Sequence, residues 1–264
     1  MASCARPGPA EMQARIVAAS RGVRWLAEGW RMFRAAPLGW LVMVFAYWML
    51  MSLASLVPVA GTALASVLVP AFSVGFMAAA RAASRRAPLE LALLFEGFRH
   101  EGRSQLALGI AYLACLAMLL AVSAALDGGA LARWMLSGAR PGDEVLQSEE
   151  FLAALFCAAA LYMPVMMLFW FAPPLASWHA SGAAKALFYS FFGCLMNWRA
   201  FLAYGAVAAA LTLGLPLAVL GALMLAGGSR VPAMSLMFPL LIVLLPTLFA
   251  SFYASYRDVF GAAE

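Results

Sequence analysis

Apolar residues along this chain gather into six runs, at about 38–57, 62–80, 106–126, 151–176, 200–226 and 232–256. Each is long enough to cross a bilayer as an α-helix, which needs roughly 20 residues. Hydrocarbon offers no hydrogen-bond partners, so each run must satisfy its own backbone and is expected to be helical. The tight turn "PVAG" at 58–61 joins the first two runs, and a polar loop at 127–150 joins the third to the fourth.

The segments before runs one, three and five carry a different period. Ile16, Val23, Leu26, Trp30, Phe33 and Pro37 step by 7, 3, 4, 3 and 4. Such steps make one stripe of a helix. Arginines 15, 21, 24, 31 and 34 lie mostly off that stripe, and Glu28 is within helical reach of Arg24 and Arg31. Leu91, Leu94 and Phe98 repeat the stripe on a helix that Pro88 can start. Phe188, Phe191, Leu195, Trp198 and Leu202 step by 3, 4, 3 and 4. Three amphipathic helices resting in the headgroup layer are therefore expected, one before each odd-numbered span.

Two of these segments share a tetrapeptide, "EGWR" at 28–31 and "EGFR" at 96–99. The even spans rhyme too. In "PAFSVGFMAAAR" (70–81) and "PTLFASFYASYR" (246–257) a proline precedes an aromatic by six residues and an arginine by eleven. Pro164 and Trp170 keep the first of those spacings. The expectation is three repeats of interfacial helix, span and span, at about 12–81, 88–176 and 182–257, with parallel orientation. They form one six-span domain over 12–258. Residues 1–11 are Pro/Gly/Ala-rich and expected to be a disordered extension, so that either Met1 or Met12 could start the chain, and 259–264 form a short tail.

Composition supports the bilayer as solvent: 66% of the 264 residues are hydrophobic and 11% are charged. A soluble domain has about 25% charged residues. The net charge of +5 is not a nucleic-acid signature, because the arginines sit at the ends of apolar runs. With the N-terminus inside, 14 of the 17 Lys and Arg residues fall on the inner side and 3 on the outer. That asymmetry places both termini in the cytoplasm. The first 36 residues hold six arginines and no apolar core, so the first span is expected to act as a retained anchor rather than a cleaved signal.

Catalytic patterns are sparse. Cys4, Cys115, Cys157 and Cys194 are scattered and suggest neither a disulfide framework nor a zinc site. Polar residues inside the spans are Ser, Thr and Tyr, so no charged relay is indicated. No cofactor, metal or catalytic set is indicated, and the chain is not read as an enzyme. The densest polar-aromatic stretch is 169–205. Pro173-Pro174 must end or kink the fourth span. Trp178, His179, Lys185, Asn197 and Arg199 then gather at the inner surface, where they could bind a headgroup or other anion. The same residues also suit plain anchoring by an aromatic belt and snorkelling cations.

This stretch reads Phe171, Pro173, Pro174, Leu175, Trp178, His179, then Lys185-Ala186-Leu187-Phe188 with Ser190-Phe191, then Asn197–Phe201. The block resembles one carried by a family of uncharacterised bacterial multi-pass inner-membrane proteins. The likeness covers most of 12–258. It implies a bacterial inner-membrane location and no particular activity.

The fold expected is thus all-α and integral to the membrane, with six spans in three helix-pair repeats. The function expected is a non-enzymatic envelope protein that organises lipids or membrane partners. The alternative is a transporter or flippase-like carrier of an apolar or lipid-linked substrate, which would need a cavity between the repeats. Its surroundings are phospholipid, with a membrane-protein partner or a second copy as further candidates. A single cysteine placed at Gly138, in a background where Cys4, Cys115, Cys157 and Cys194 are replaced by alanine, is expected to react with an impermeant maleimide added to intact spheroplasts. Reaction only after lysis would reverse the orientation.

Overall fold

Helix α2, Pro37–Ala54, turns its large side chains outward: Leu38, Val42, Phe45, Met49 and Leu53 are exposed, Leu38 by 77%. Their steps of four, three, four and four draw one stripe down the helix. In water a contiguous apolar stripe of this kind would be a liability; against lipid it is the natural surface. A computed structural model describes residues 13–57, 59–99, 101–225 and 230–261, with the side chains of 230–240 left aside. Residues 1–12, which include the expected extension and Met12, and Pro58 of the expected turn lie outside them.

The remaining elements are helical throughout the described residues. They are α1 (Ser20–Ala35), α3 (Ala60–Ser84), α4 (Glu96–Arg99), α5 (Gly102–Asp127), α6 (Ala130–Ser137) and α7 (Asp143–Leu146). Then follow α8 (Glu149–Phe169), α9 (Ala172–Trp178), α10 (Ala183–Met196), α11 (Trp198–Ala209), α12 (Leu215–Leu225) and α13 (Arg230–Phe260). Five stretches among the described residues are long and apolar enough to cross a membrane: Pro37–Ala54, Ala60–Ser84, Gly102–Asp127, Glu149–Trp178 and Trp198–Leu225. The sixth expected run falls in α13, a helix of 31 residues. It runs to Phe260, so the first two residues of the expected tail complete the helix and Val259 is buried.

Local chemistry explains the ends. Ser148 caps α8 by accepting from the Phe151 N–H at 3.2 Å, and Glu149 and Glu150 sit in its first turn, where the helix dipole favours them. Asp127 ends α5 and accepts from the N–H groups of Gly129 and Leu131, at 2.8 and 2.7 Å, which starts α6 inside the expected polar loop. The fourth run breaks between Phe169 and Ala172, and Pro173 and Pro174 open α9, where their missing N–H groups cost nothing. The Phe171 N–H freed by the break donates to Ser190 on α10 at 2.9 Å, and that hydroxyl donates to the Met167 carbonyl at 2.8 Å. The fifth run winds through a π-turn at Ala210–Gly214, just before Pro216, and continues as α12.

Helix α3 occupies the middle. It packs against α1, α2, α4, α5, α9 and α13. Its C-terminal half is mostly small residues, and Ala78, Ala79, Ala80 and Ala83 are buried. Small residues let helices approach closely where lipid gives no net hydrophobic drive to associate. The aromatic residues six positions after the prolines meet in the interior. Phe76 stacks on Phe249 at 4.2 Å, Phe249 contacts Phe252 at 6.1 Å, and Phe252 meets Trp170 edge-on at 4.5 Å.

The three segments expected at the interface also follow one rule: each packs on an even-numbered run. Helix α1 lies on α13, the segment Leu91–Arg99 on α3, and α10 on α8. The glycines of the two EG tetrapeptides make equivalent contacts. A Cβ on Gly29 would lie 2.3 Å from the Thr247 carbonyl, and one on Gly97 would lie 2.2 Å from the Ala71 carbonyl. Thr247 and Ala71 each directly follow a proline, Pro246 and Pro70.

The structure divides the expected stripe of α1 between two faces, with Leu26 and Phe33 turned inward and Val23 and Trp30 outward. Val23 and Trp30 are 45% and 39% exposed, while Gly22, Trp25, Leu26, Gly29, Met32 and Phe33 face inward. The reason is the glycine seam: close backbone contact draws Gly22 and Gly29 inward and carries Trp25 with them. The second of these segments is a 3-10 turn over Leu91–Phe95 followed by the single turn α4, rather than one helix from Pro88. Leu94 is its buried anchor. On α10 the small residues Ala186, Ser190, Gly193 and Cys194 face inward, and Phe188 and Leu195 are exposed.

Gly29→Ala is expected to lower stability by about 1–3 kcal/mol through overpacking against the backbone of α13. Gly205→Ala, whose Cβ would meet nothing within 4 Å, is the matched control. Thermal unfolding in detergent measures both, and equal melting temperatures would remove the seam from the account.

Candidate functional site

Three places among the described residues combine chemistry with space: an ionic clamp between α1 and α13, a tryptophan-histidine cluster beside it, and an apolar chamber at the opposite end of the helices. The clamp begins with Arg21 on α1. Its Nε and Nη2 donate to the two oxygens of Asp258 on α13 at 2.6 and 2.7 Å, the planar two-point geometry that makes guanidinium–carboxylate pairs strong. Trp25 Nε1 donates to the same carboxylate at 2.7 Å. Glu28, the acid of the first EG tetrapeptide, accepts from Arg257 and, at 3.2 Å, from Arg21. Arg31 stands 4.0 Å from it. The hydrogen bond to Asp258 raises the Arg21 pKa, which is further supported by the nearby Asp258 and Glu28 charges against the opposing cost of burial.

Asn197 reinforces the clamp. Its Oδ1 accepts from the Val17 N–H at 2.8 Å, and its Nδ2 donates to the carbonyls of Arg15 at 3.0 Å and Gly193 at 2.9 Å. The Arg15 N–H donates to the Val259 carbonyl at 2.8 Å. The segment before α1 is thus strapped between the end of α13 and the start of α11.

Trp178 and His179 lie on α9 and at its end. The Arg81 guanidinium sits over the Trp178 ring at 4.7 Å, and the Tyr256 ring meets it edge-on at 5.1 Å. His179 Nε2 is 2.7 Å from the Tyr256 hydroxyl. Partial burial disfavours the charged imidazolium and lowers the His179 pKa. Gln105, from the start of α5, donates to the Pro173 carbonyl at 2.8 Å and to Ser177 at 2.9 Å. Its Oε1 and the Trp178 Nε1 are buried without a hydrogen-bond partner among the described residues.

Of the five residues expected to gather here, Trp178 and His179 share one cluster. Asn197 is buried and commits its side chain to the strap. Lys185 leans on Tyr189 of its own helix at 5.9 Å, and Arg199 on its neighbour Trp198 at 5.4 Å. Sequence reasoning passed over Arg81, Gln105, Tyr256 and Asp258 as site residues. Each sits at a run boundary, where a polar residue looks like an ordinary flank. The matching arginines eleven residues after Pro70 and Pro246 were the usable signal for Arg81.

On the side of the 127–150 loop, a chamber of about 640 Å³ opens between α3, α5, α6 and α8. Leu113, Leu116, Leu120, Leu131, Met135 and Leu155 line it, with Thr62, Ser66 and Tyr162 as polar points and no charged side chain. Helix α6 forms one wall: Ala130 and Leu131 are buried, and Trp134 leans on Phe151 with ring centres 6.2 Å apart. Tyr162 and Tyr112 bring their hydroxyls within 3.3 Å. The volume falls within the usual range of about 300–1,000 Å³ for small-molecule sites. Its lining suits a flexible apolar chain.

The chain is 42% identical over 259 residues to a probable inner membrane protein of Burkholderia thailandensis, an alignment covering 96% of each chain. No family model matches the chain. No solved structure matches it.

A depressed pKa ties His179 to stability. A base with a lowered folded pKa contributes stability that is present above its ordinary value, about 6.5, and is lost as pH falls through the folded value. The melting temperature of the wild-type protein is expected to fall more steeply between about pH 7.5 and 5.5 than that of His179→Gln. Parallel profiles would show that the ring does not titrate against folding.

Proposed function

Because the chain belongs to the same family as the probable inner membrane protein of Burkholderia thailandensis, we propose that it is a non-enzymatic inner-membrane protein that organises lipid by holding an apolar chain within its own fold. The observation that carries this reading is the uncharged chamber of about 640 Å³ among membrane-crossing helices. In that setting the substance at its mouth is lipid, and an acyl or isoprenoid chain satisfies its lining without desolvating a charge.

On this reading the membrane domain spans 12–258 with six crossings and both termini in the cytoplasm. The arginine asymmetry and the length of α13 support that topology. The three-repeat organisation is supported by the equivalent glycine contacts of Gly29 and Gly97 and by the aromatic residues that meet in the interior. Orientation then puts the chamber in the outer leaflet and the clamp at the inner surface. Trp178 and His179 face the inner headgroup layer. Lys185 and Arg199 extend that basic-aromatic surface, and Asn197 holds its frame. A second copy or another membrane protein remains a candidate partner for the exposed apolar faces.

Native mass spectrometry of protein extracted in mild detergent is expected to show retained lipid. Ala117→Trp, which fills the chamber from α5, should reduce that retention severalfold while the fold is kept. Undiminished retention would overturn the reading. Accelerated exchange of labelled lipid between leaflets of reconstituted vesicles, absent in the same variant, would instead favour the carrier alternative.

A further inference from the structure

A second, polar pocket lies at the opposite end of the helices from the chamber. It measures about 250 Å³ and is lined by Glu28, Arg31, Met32, Ser84 and Arg257, from α1, α3 and α13. We propose that this pocket binds a single phosphate-type anion, either the headgroup of an anionic inner-leaflet lipid or a free phosphate. The inference rests on the membrane placement of the chain but not on occupation of the outer chamber.

Charge balance is the first argument. Three guanidiniums, those of Arg21, Arg31 and Arg257, share two carboxylates, Glu28 and Asp258. One positive charge is left over. Arg21 grips Asp258 through Nε and Nη2 and reaches Glu28 only at 3.2 Å, while Arg257 pairs with Glu28, so the surplus falls on Arg31. The Arg31 side chain is 66% exposed, stands 4.0 Å from Glu28, and among the described residues otherwise makes only a long contact of 3.5 Å to the Ala27 carbonyl in its own helix. Its planar fork is free to grip two oxygens of a phosphate, a geometry that guanidinium favours over other cations.

The second argument is steric and chemical. Glu28 would repel an anion if it were bare, but it already accepts from Arg21 and Arg257, so it presents a neutralised wall. The Ser84 hydroxyl donates to the Arg81 carbonyl at 2.7 Å and can rotate toward a bound oxygen. Exposed Arg85 and Arg86 directly follow Ser84 at the end of α3 and add positive charge to that end of the helix. Met32 gives the one apolar side, suited to the first carbons of a glycerol. The pocket is therefore open to the surface, polar and net positive, which is the chemistry of a headgroup phosphate rather than of a chain.

The test uses the full chain in nanodiscs of phosphatidylcholine doped with phosphatidylglycerol, and reads by native mass spectrometry the ratio of the two lipids retained. The wild-type protein is expected to retain phosphatidylglycerol preferentially. Arg31→Gln should weaken that preference roughly tenfold, the effect of losing one charged hydrogen-bond pair. Arg34→Gln, which removes another exposed charge about one turn away, should leave it unchanged. Ser84→Leu obstructs the pocket without changing charge and is expected to act like Arg31→Gln. Equal losses from Arg31→Gln and Arg34→Gln, or no loss from Ser84→Leu, would overturn the site. Added inorganic phosphate distinguishes the sources: displacement of phosphatidylglycerol identifies a site for the free anion as well, and its failure to displace identifies the headgroup. Ala117→Trp lowers total retained lipid without moving the ratio, so failure of the chamber and failure of this pocket read differently.

Discussion

Helix backbones in this protein meet where a side chain is missing. A Cβ at Gly22, Gly29, Gly75, Gly97 or Gly109 would fall between 2.0 and 2.3 Å from a carbonyl oxygen of the facing segment. In lipid the gain from burying a leucine between helices is small, because the tails outside are equally apolar. Dispersion contacts between closely packed backbones supply the attraction instead, and they fall away over fractions of an ångström. The glycine seams thus set the distances between α1 and α11 at Gly22, between α1 and α13 at Gly29, between Leu91–Arg99 and α3, and between α3 and α5. Other features of the fold inherit those distances.

The clamp between the chain ends is one such inheritance. Once Gly22 and Gly29 seat α1, Arg21, Trp25 and Glu28 come within reach of Arg257 and Asp258. A partly buried pair of ions adds modestly to stability on its own account, because desolvation offsets much of the attraction. Its larger effect is on specificity: only one rotation and one register of α1 satisfy both carboxylates and the Trp25 N–H together. The strap through Asn197 and Val259 closes the same junction by neutral hydrogen bonds. The first and last helices among the described residues are thereby joined, as the segment Leu91–Arg99 is joined to α3 and α10 to α8.

The two ends of the molecule differ in chemistry. One carries the uncharged chamber walled by α6. The other carries guanidiniums, tryptophans and the polar pocket. A lipid bilayer has the same contrast between its hydrocarbon and its headgroups, and the protein divides its own interior along that line. Helix α9, opened by two prolines and ended by Trp178 and His179, belongs to the second end.

Much of this was present in one dimension. Apolar run length marked α2, α3, α5, α8 with α9, and α11 with α12 to within a few residues, because hydrophobic length is a local property set by bilayer thickness. Arginine placement, the paired prolines and the EG tetrapeptides were equally readable from the chain. Rotation of each helix was not: Val23 and Trp30 belong to the apolar stripe of α1 by period, yet they face outward, because the glycines decide which side is buried. Which charges pair was also hidden, since Arg21 and Asp258 lie 237 residues apart and Glu28 turns to Arg257 rather than to Arg24. The chamber depends on gaps between four helices that are not all neighbours in sequence. Composition and periodicity determined that this chain enters a membrane as helices. Only packing decided which side chains meet across it, because contact depends on sub-ångström approach and helix rotation that no single segment encodes.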